Sequence, residues 1–359
     1  MKIPCQTLLL ISIALLTSGC VHFGPQAVQT SRLDYNQSLR ATEDEQMLLN
    51  IVRLRYRDRM YFLEADTVTT QFSYSASIQP GINWIPGLGS NESLNNRLAI
   101  EERPTVTYRP LRGKDFVERI LTPVNAETLI LLSNSGWPIS RILRTCLERI
   151  NNLENNYQTD QQDFTVDTKS HQTFIDVVYA LRELELANLV AGAKDPVSKQ
   201  IVLQFKKKAH KHPAFMRLAK ILSFDPSLTV LPLVNAIETE NKDVLTIQAR
   251  SFDSIMFFLS QSVEVPDSDL QERRVPLRND EQGTVFDEAR VTKDLFRIHS
   301  SIEKPDKANV AVFYRNNWFY IDDSDSASKS TFSLLTQIFA LQSGSVQQAA
   351  PILTIPLGN

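Results

Sequence analysis

Between residues 68 and 78 the chain alternates with a period of two. Val68, Thr70, Phe72, Tyr74, Ala76 and Ile78 are apolar or threonine, while Thr69, Gln71, Ser73, Ser75 and Ser77 are small or polar. Side chains of an extended strand point alternately to opposite faces, so this pattern predicts a strand with one apolar face. A stretch rich in Gly, Pro and Asn follows at 80–89, and a second alternation runs through Leu98, Ile100, Val106 and Tyr108. Together they predict a long hairpin over 66–109 with an apolar tip carrying Trp84, Ile85 and Leu88. Two readings of it stay open. In one, the apolar face covers the core of the fold and the Ser/Thr face meets water. In the other, hairpins from several copies line up into an outer-membrane channel, apolar side to lipid and Ser/Thr side to the lumen. Glu101, Glu102 and Arg103 near the base of the second strand weigh towards the first.

Elsewhere the spacing is helical. A stripe of Met47, Leu48, Ile51, Val52 and Leu54 predicts a helix over about 34–57, with Thr42 and Glu45 at capping-box spacing. Helices are also expected at 114–121, at 126–133 behind an Asn125 cap, at 139–153, and at 171–190 with Phe174, Val177, Val178, Leu181 and Leu184 inward. Ser251 starts another through Ile255, Met256 and Leu259, and 328–341 closes the series. Strands are expected at 200–205, 229–234, 244–250, 295–299 and 309–315, the last turning at Arg315-Asn316-Asn317 into 318–322. The class predicted is α+β, helices with antiparallel hairpins. Its expected divisions are a signal at 1–19, a tether at 20–32, a helix, hairpin and helical unit at 33–155, and an α+β region at 164–359. An Asn/Gln-rich boundary lies at 151–163, a charged surface loop at 267–284 and a short apolar tail at 351–359.

The first twenty residues change the picture. Lys2 precedes an apolar run at 8–16, too short to span a bilayer, and Thr17, Ser18 and Gly19 lead to Cys20. That is the layout of a secretory signal. Leu15-Leu16-Thr17-Ser18-Gly19-Cys20 resembles the lipobox of bacterial lipoproteins, which implies a diacylglyceryl group on the Cys20 thiol and a membrane partner through that lipid. Residue 21 is Val and not the Asp associated with inner-membrane retention, so the resemblance implies an outer-membrane address facing the periplasm.

Composition narrows the classes. With 42% hydrophobic and 22% charged residues the chain is globular, and a net charge of −3 argues against a nucleic-acid partner. Of three cysteines, Cys5 leaves with the signal and Cys20 is lipidated, so Cys146 has no disulfide partner. It shares a helical stripe with Ile139, Ile142, Leu143, Leu147 and Ile150, which predicts a buried apolar role.

Candidate chemistry is sparse. There is no G-x-S-x-G, H-E-x-x-H, C-x-x-C or Gly-rich phosphate loop, and no cofactor is expected. Asp322, Asp323 and Asp325, between a strand and a helix, are either a carboxylate-dependent hydrolase site needing His299 nearby or turn and cap residues. His210 and His212 offer a weak metal pair. The basic run Lys206-Lys207-Lys208 and the cluster Arg53, Arg55, Arg57 and Arg59 are solvated ends or anion-docking patches.

Three segments carry a wider resemblance: Gln46 through Tyr56 (QMLLNIVRLRY), Arg103 through Tyr108 (RPTVTY), and Trp318 through Asp323 (WFYIDD) followed by Lys329-Ser330-Thr331-Phe332. They resemble a group of Gram-negative outer-membrane lipoproteins. The likeness implies an envelope address and no activity. The expectation is a non-enzymatic, lipid-anchored binding or assembly protein with an envelope protein partner.

Overall fold

The computed structural model describes residues 23–85, 89–155, 168–236, 241–276 and 290–342. The signal, Cys20, Leu88 and the tail at 351–359 lie outside them. The fold is α+β, and its contacts gather into two compact units: Tyr61–Gly113, and the chain on either side of it.

Helix α1 (Phe23–Arg55) begins eleven residues before the expected start at 34, so most of the expected tether is helix. The Thr42 hydroxyl donates to the Leu39 carbonyl at 2.9 Å, a bond inside a formed helix and not an N-cap. From Arg32 to Gln46 the helix is chiefly exposed; Met47, Leu48, Ile51 and Val52 are buried. Arg57, with φ of 61°, then turns the chain out of the helix. The Tyr61–Gly113 unit is a two-stranded antiparallel hairpin, β1 (Leu63–Ile85) and β2 (Gly89–Pro110).

The chain then enters a short helix, α2 (Gly113–Phe116), continued by a π-turn at Val117–Leu121. Helix α3 (Ala126–Asn134) starts where expected, because the Asn125 side chain accepts from the Thr128 amide at 2.7 Å. Helix α4 (Ile139–Cys146) is shorter than predicted. At Leu147 it passes directly into β3 (Leu147–Ile150), followed by β4 (Leu153–Glu154). Leu147 and Ile150 suit a helical stripe and a strand alike, and pairing with a distant strand decides the matter. Helix α5 (Thr168–Leu186) buries Phe174, Val177, Val178, Leu181 and Leu184 as predicted, and ends early to release β5 (Val190–Lys194).

Strands β6 (Ile201–Phe205), β7 (Val230–Asn235) and β8 (Leu245–Ala249) complete a sheet in the order β4-β3-β8-β7-β6-β5, antiparallel except for β7 on β8. Since β3 pairs with β8, the sheet joins segments on both sides of 151–163. Helix α6 (Pro213–Leu222), not predicted, begins with proline at its first position and is capped by the His212 ring, which accepts from the Ala214 amide. Buried Phe215, Leu218, Ala219 and Leu222 give it an inward stripe.

Helix α7 (Phe252–Ser260), capped by Ser251, is buried through Phe252, Ile255, Met256, Phe257, Phe258 and Leu259. A five-residue helix, α8 (Asp267–Gln271), occupies the start of the expected 267–284 loop. Strands β9 (His299–Ser301), β10 (Ala308–Tyr314) and β11 (Asn317–Asp322) form a second sheet, and α9 (Ser326–Gln342) follows. The strand expected at 295–299 starts later, since Leu295, Phe296 and Ile298 are buried in a turn and a single bridge. A cavity of about 50 Å³ lies among chiefly aliphatic residues of α3, α4, α5 and the large sheet. No described helix is long and apolar enough to cross a membrane.

Candidate functional site

The hairpin keeps one register from Leu63 opposite Pro110 to Ile85 opposite Gly89, with a single shift between Ala65 and Thr67. Directly paired positions in an antiparallel ladder lie on the same face. Val68, Phe72, Tyr74, Ala76 and Ile78 therefore share a face with Val106, Glu102, Ile100, Leu98 and Asn96. Thr69, Gln71, Ser73, Ser75 and Ser77 share the other with Thr105, Arg103, Glu101, Ala99 and Arg97. The bulge at Asp66 shifts parity by one, so Leu63 and Ala65, at odd positions, join the apolar face beside Pro110 and Tyr108. No alternation in the sequence marks that shift.

At the hairpin base this apolar face meets solvent. Leu63 is 40% exposed, Val68 38% and Tyr108 55%. Trp84 and Ile85 hold the last two paired positions, opposite Ser90 and Gly89, and Leu88 lies outside the described residues. At the base Arg109 lies 3.9 Å from Glu64, the Leu111 amide donates to the Phe62 carbonyl at 3.0 Å, and Arg112 donates to the Tyr61 hydroxyl at 3.2 Å. An isolated two-stranded ribbon is marginal in water. This one is about 75 Å long at 3.4 Å per residue.

The acidic candidates are used locally. Asp322 accepts from the Ser324 amide at 2.7 Å, and Asp325 accepts from the Ala327 and Ser328 amides at 3.0 Å and the Ser328 hydroxyl at 2.6 Å. Asp323 pairs with Lys329 at 2.6 Å. Bonds from Ser324 hold Asp322 below the usual carboxylate range. Burial pushes Asp325 upward, but bonds from Ser328 and Ala327 outweigh it and lower it as well. Both are thus ionised at neutral pH, which suits a helix start and opposes general-acid work. His299 is near enough to act electrostatically on both, yet its Nδ1 lies 3.2 Å from Glu264. Among the described residues no group of three His, Cys, Asp or Glu is disposed to hold a metal.

No protein-family model, curated protein or solved structure matches this chain.

Most of the other candidates have structural partners, while Arg59, Lys206, Lys207 and Lys208 stay exposed. Arg53 donates to Asn50 and buried Arg55 to Gln261 at 2.9 Å, while Arg57 lies over the Phe257 ring. Basic Lys207–Lys211 is a 3-10 turn; within it His210 stacks on Phe215 at 4.9 Å, and His212 just after it caps α6, so the two rings do not converge on a metal. Cys146 is fully buried, and burial pushes its thiol up to about 12, which leaves it a small apolar group.

Sequence reasoning missed two clusters. In one, buried Arg250 donates to the carbonyls of Arg144, Thr145 and Asn155 at 2.6–3.2 Å and lies over Phe258. It thereby holds the C-terminus of α4, where orphan carbonyls and the helix dipole favour a cation. In the other, the Tyr56 hydroxyl donates to buried Asp269 at 2.5 Å, Arg274 meets the same carboxylate at 2.8 Å, and Arg315 pairs with Asp58 at 2.9 Å while stacking on Tyr56. This second cluster fixes the chain just before Tyr61. Neither has a local signature, since the hydrogen-bond partners of Tyr56 and Arg250 are between 95 and 213 residues away.

Proposed function

We propose that this chain is a lipid-anchored protein of the outer membrane, facing the periplasm, whose work is binding and assembly at the cell envelope. The anchor is the Cys20 thiol and the working element is the hairpin of β1 and β2. One observation carries the reading: a two-stranded ribbon, marginal by itself in water, presents an apolar face that is open at Leu63, Val68 and Tyr108. The resemblance of the lipobox and of the three longer segments to envelope lipoproteins supports the address. The local use of Asp322, Asp323 and Asp325 weighs against a hydrolase. Mechanistically, a lipid confines the fold to one surface and raises the effective concentration of any partner bound to the same membrane.

A photo-crosslinking residue at Tyr108 in intact cells tests this, with a matched probe at exposed Val197 as control. The expected result is a discrete high-mass adduct from position 108 alone, lost together with membrane fractionation in a Cys20→Ser variant. Equal labelling at both positions, or unchanged fractionation of Cys20→Ser, contradicts the reading.

A further inference from the structure

We propose that copies of this chain join their hairpins edge to edge, β1 of one against β2 of the next, into a closed barrel whose apolar band enters a bilayer. This rests on the reading of the hairpin as the working contact and names its partner: further copies of the same chain.

Four observations lead there. First, β1 and β2 form a sheet of two strands, so among the described residues each has an outer edge without a strand on it. Natural proteins guard such edges with charge, proline, bulges or short strands. Residues 67–85 contain no Asp, Glu, Lys or Arg, the bulge lies before them at Asp66, and the first proline is Pro80. On β2 the stretch 89–103 is free of proline, and its five charges, Glu92, Arg97, Glu101, Glu102 and Arg103, leave 93–96 and 98–100 uncharged. Both strands are more than twenty residues long, so either edge offers room for a neighbouring strand.

Second, the register sets out a band of membrane height. Glu102 stands opposite Phe72 and Glu92 opposite Ile82. Between these two charges the same face holds Tyr74 with Ile100, Ala76 with Leu98, Ile78 with Asn96, and Pro80 with Leu94. From residue 72 to 82 is about 34 Å along a strand. At the usual barrel tilt that stands about 25 Å high, the height of the apolar band of outer-membrane barrels. Phe72 and Tyr74 lie towards one end and Trp84 just past the other, where aromatic girdles sit.

Third, the opposite face is polar through the same span, with Gln71, Ser73, Ser75, Ser77 and Gln79 beside Arg103, Glu101, Ala99, Arg97 and Asn95. On this face β2 contributes Arg97, Arg103 and Glu101, a net charge of +1. A water-filled lumen accepts that chemistry.

Fourth, the two open edges belong to one ribbon and match in length. Setting β1 of one copy against β2 of the next continues an up-down meander by a single repeated rotation. It keeps the apolar positions on one side and removes every edge on closure. With one hairpin per chain, an eight-stranded barrel needs four copies, so four is about the smallest ring.

The test uses the full lipidated chain in mild detergent. Native mass should give a ring of at least four copies, and the ring should conduct ions in phosphatidylethanolamine and phosphatidylglycerol bilayers. Because Cys146 is buried, introduced cysteines report alone. When Ser75→Cys and Ala99→Cys chains are co-expressed, a short bis-maleimide should link unlike chains several times more often than like chains. Ala76→Lys, at mid-band on the apolar face, should lower conductance by roughly thirtyfold or more. Ser75→Lys on the other face should keep conductance and shift selectivity towards anions, and both variants should unfold with the wild-type body. A monomer without conductance, preferential linking of like chains, or full conductance in Ala76→Lys each overturns the barrel. If the chain is monomeric while position 108 still crosslinks to a different envelope protein, the barrel fails and the broader reading of the hairpin stands.

Discussion

Arg250 shows how this fold accommodates buried charge. Burial pulls its guanidinium down to about 10, so it stays protonated at neutral pH, and carbonyl oxygens at the end of α4 meet it. Replacing it with methionine keeps the bulk but leaves three carbonyl acceptors without their donor. The expected loss is about 3 kcal/mol or more in denaturant unfolding, and a loss below about 1 kcal/mol would show that the carbonyls find other donors. His171 lies in the same region, with no partner for Nδ1 among the described residues. Burial, reinforced by Arg144 and Arg250, lowers it from 6.5 to about 4. The unfolded chain therefore takes up a proton near pH 6.5 and the folded chain only near 4. Stability is undiminished above pH 6.5 and falls on acidification through that window, by up to ~1.4 kcal/mol per pH unit. His171→Leu should flatten the dependence, read as urea midpoints at pH 7, 5.5 and 4.5; equal slopes in both proteins would remove His171 as the cause. Asp58 acts lower on the scale. Burial raises it, but bonds from Tyr314 and Arg315 lower it overall, so its contribution persists above the ordinary carboxylate range and is lost only as pH falls through its depressed value.

Among the elements, the turn between β10 and β11 is the most demanding of its residues. Arg315 and Asn316 have φ of 47° and 66°, the pair of positive values that a two-residue hairpin of matching twist requires. Asn316→Val should cost about 1–2 kcal/mol in thermal unfolding, while Asn316→Gly should be neutral or better. A tolerated valine would mean that the turn is free to open. Elements with a local signal were legible from the residues alone. These are the alternation of β1, the Asn125 and Ser251 caps, and the α5 stripe from Phe174 to Leu184. What escaped depends on distant partners or ambiguous spacing. Leu147–Ile150 reads as helix until β8 lies beside it. Helix α6 carried its own signal in Pro213 and the Phe215, Leu218, Ala219 and Leu222 stripe, which the adjoining basic run obscured. The bulge at Asp66 sets the hairpin faces at the base, yet one extra residue leaves no periodic trace.

At the scale of the whole molecule, the proposed lipid at Cys20 would be followed by an α1 helix that is chiefly exposed from Arg32 to Gln46 and by a ribbon of only two strands. An α-helix rises 1.5 Å per residue, so the stretch of α1 before Met47 is about 35 Å long, and under the proposed anchoring it would act as a spacer. The central claim is that the hairpin is completed only in the envelope. Hydrogen exchange measures this directly, because in a lone two-stranded ribbon about half the amides of each strand point outward and lack a ladder partner. In the soluble Cys20→Ser chain, about half the amides over 67–85 and 89–103 should exchange as fast as an open strand. In native outer membranes the same amides of the lipidated chain should be protected together. Identical exchange in the two preparations would contradict the account.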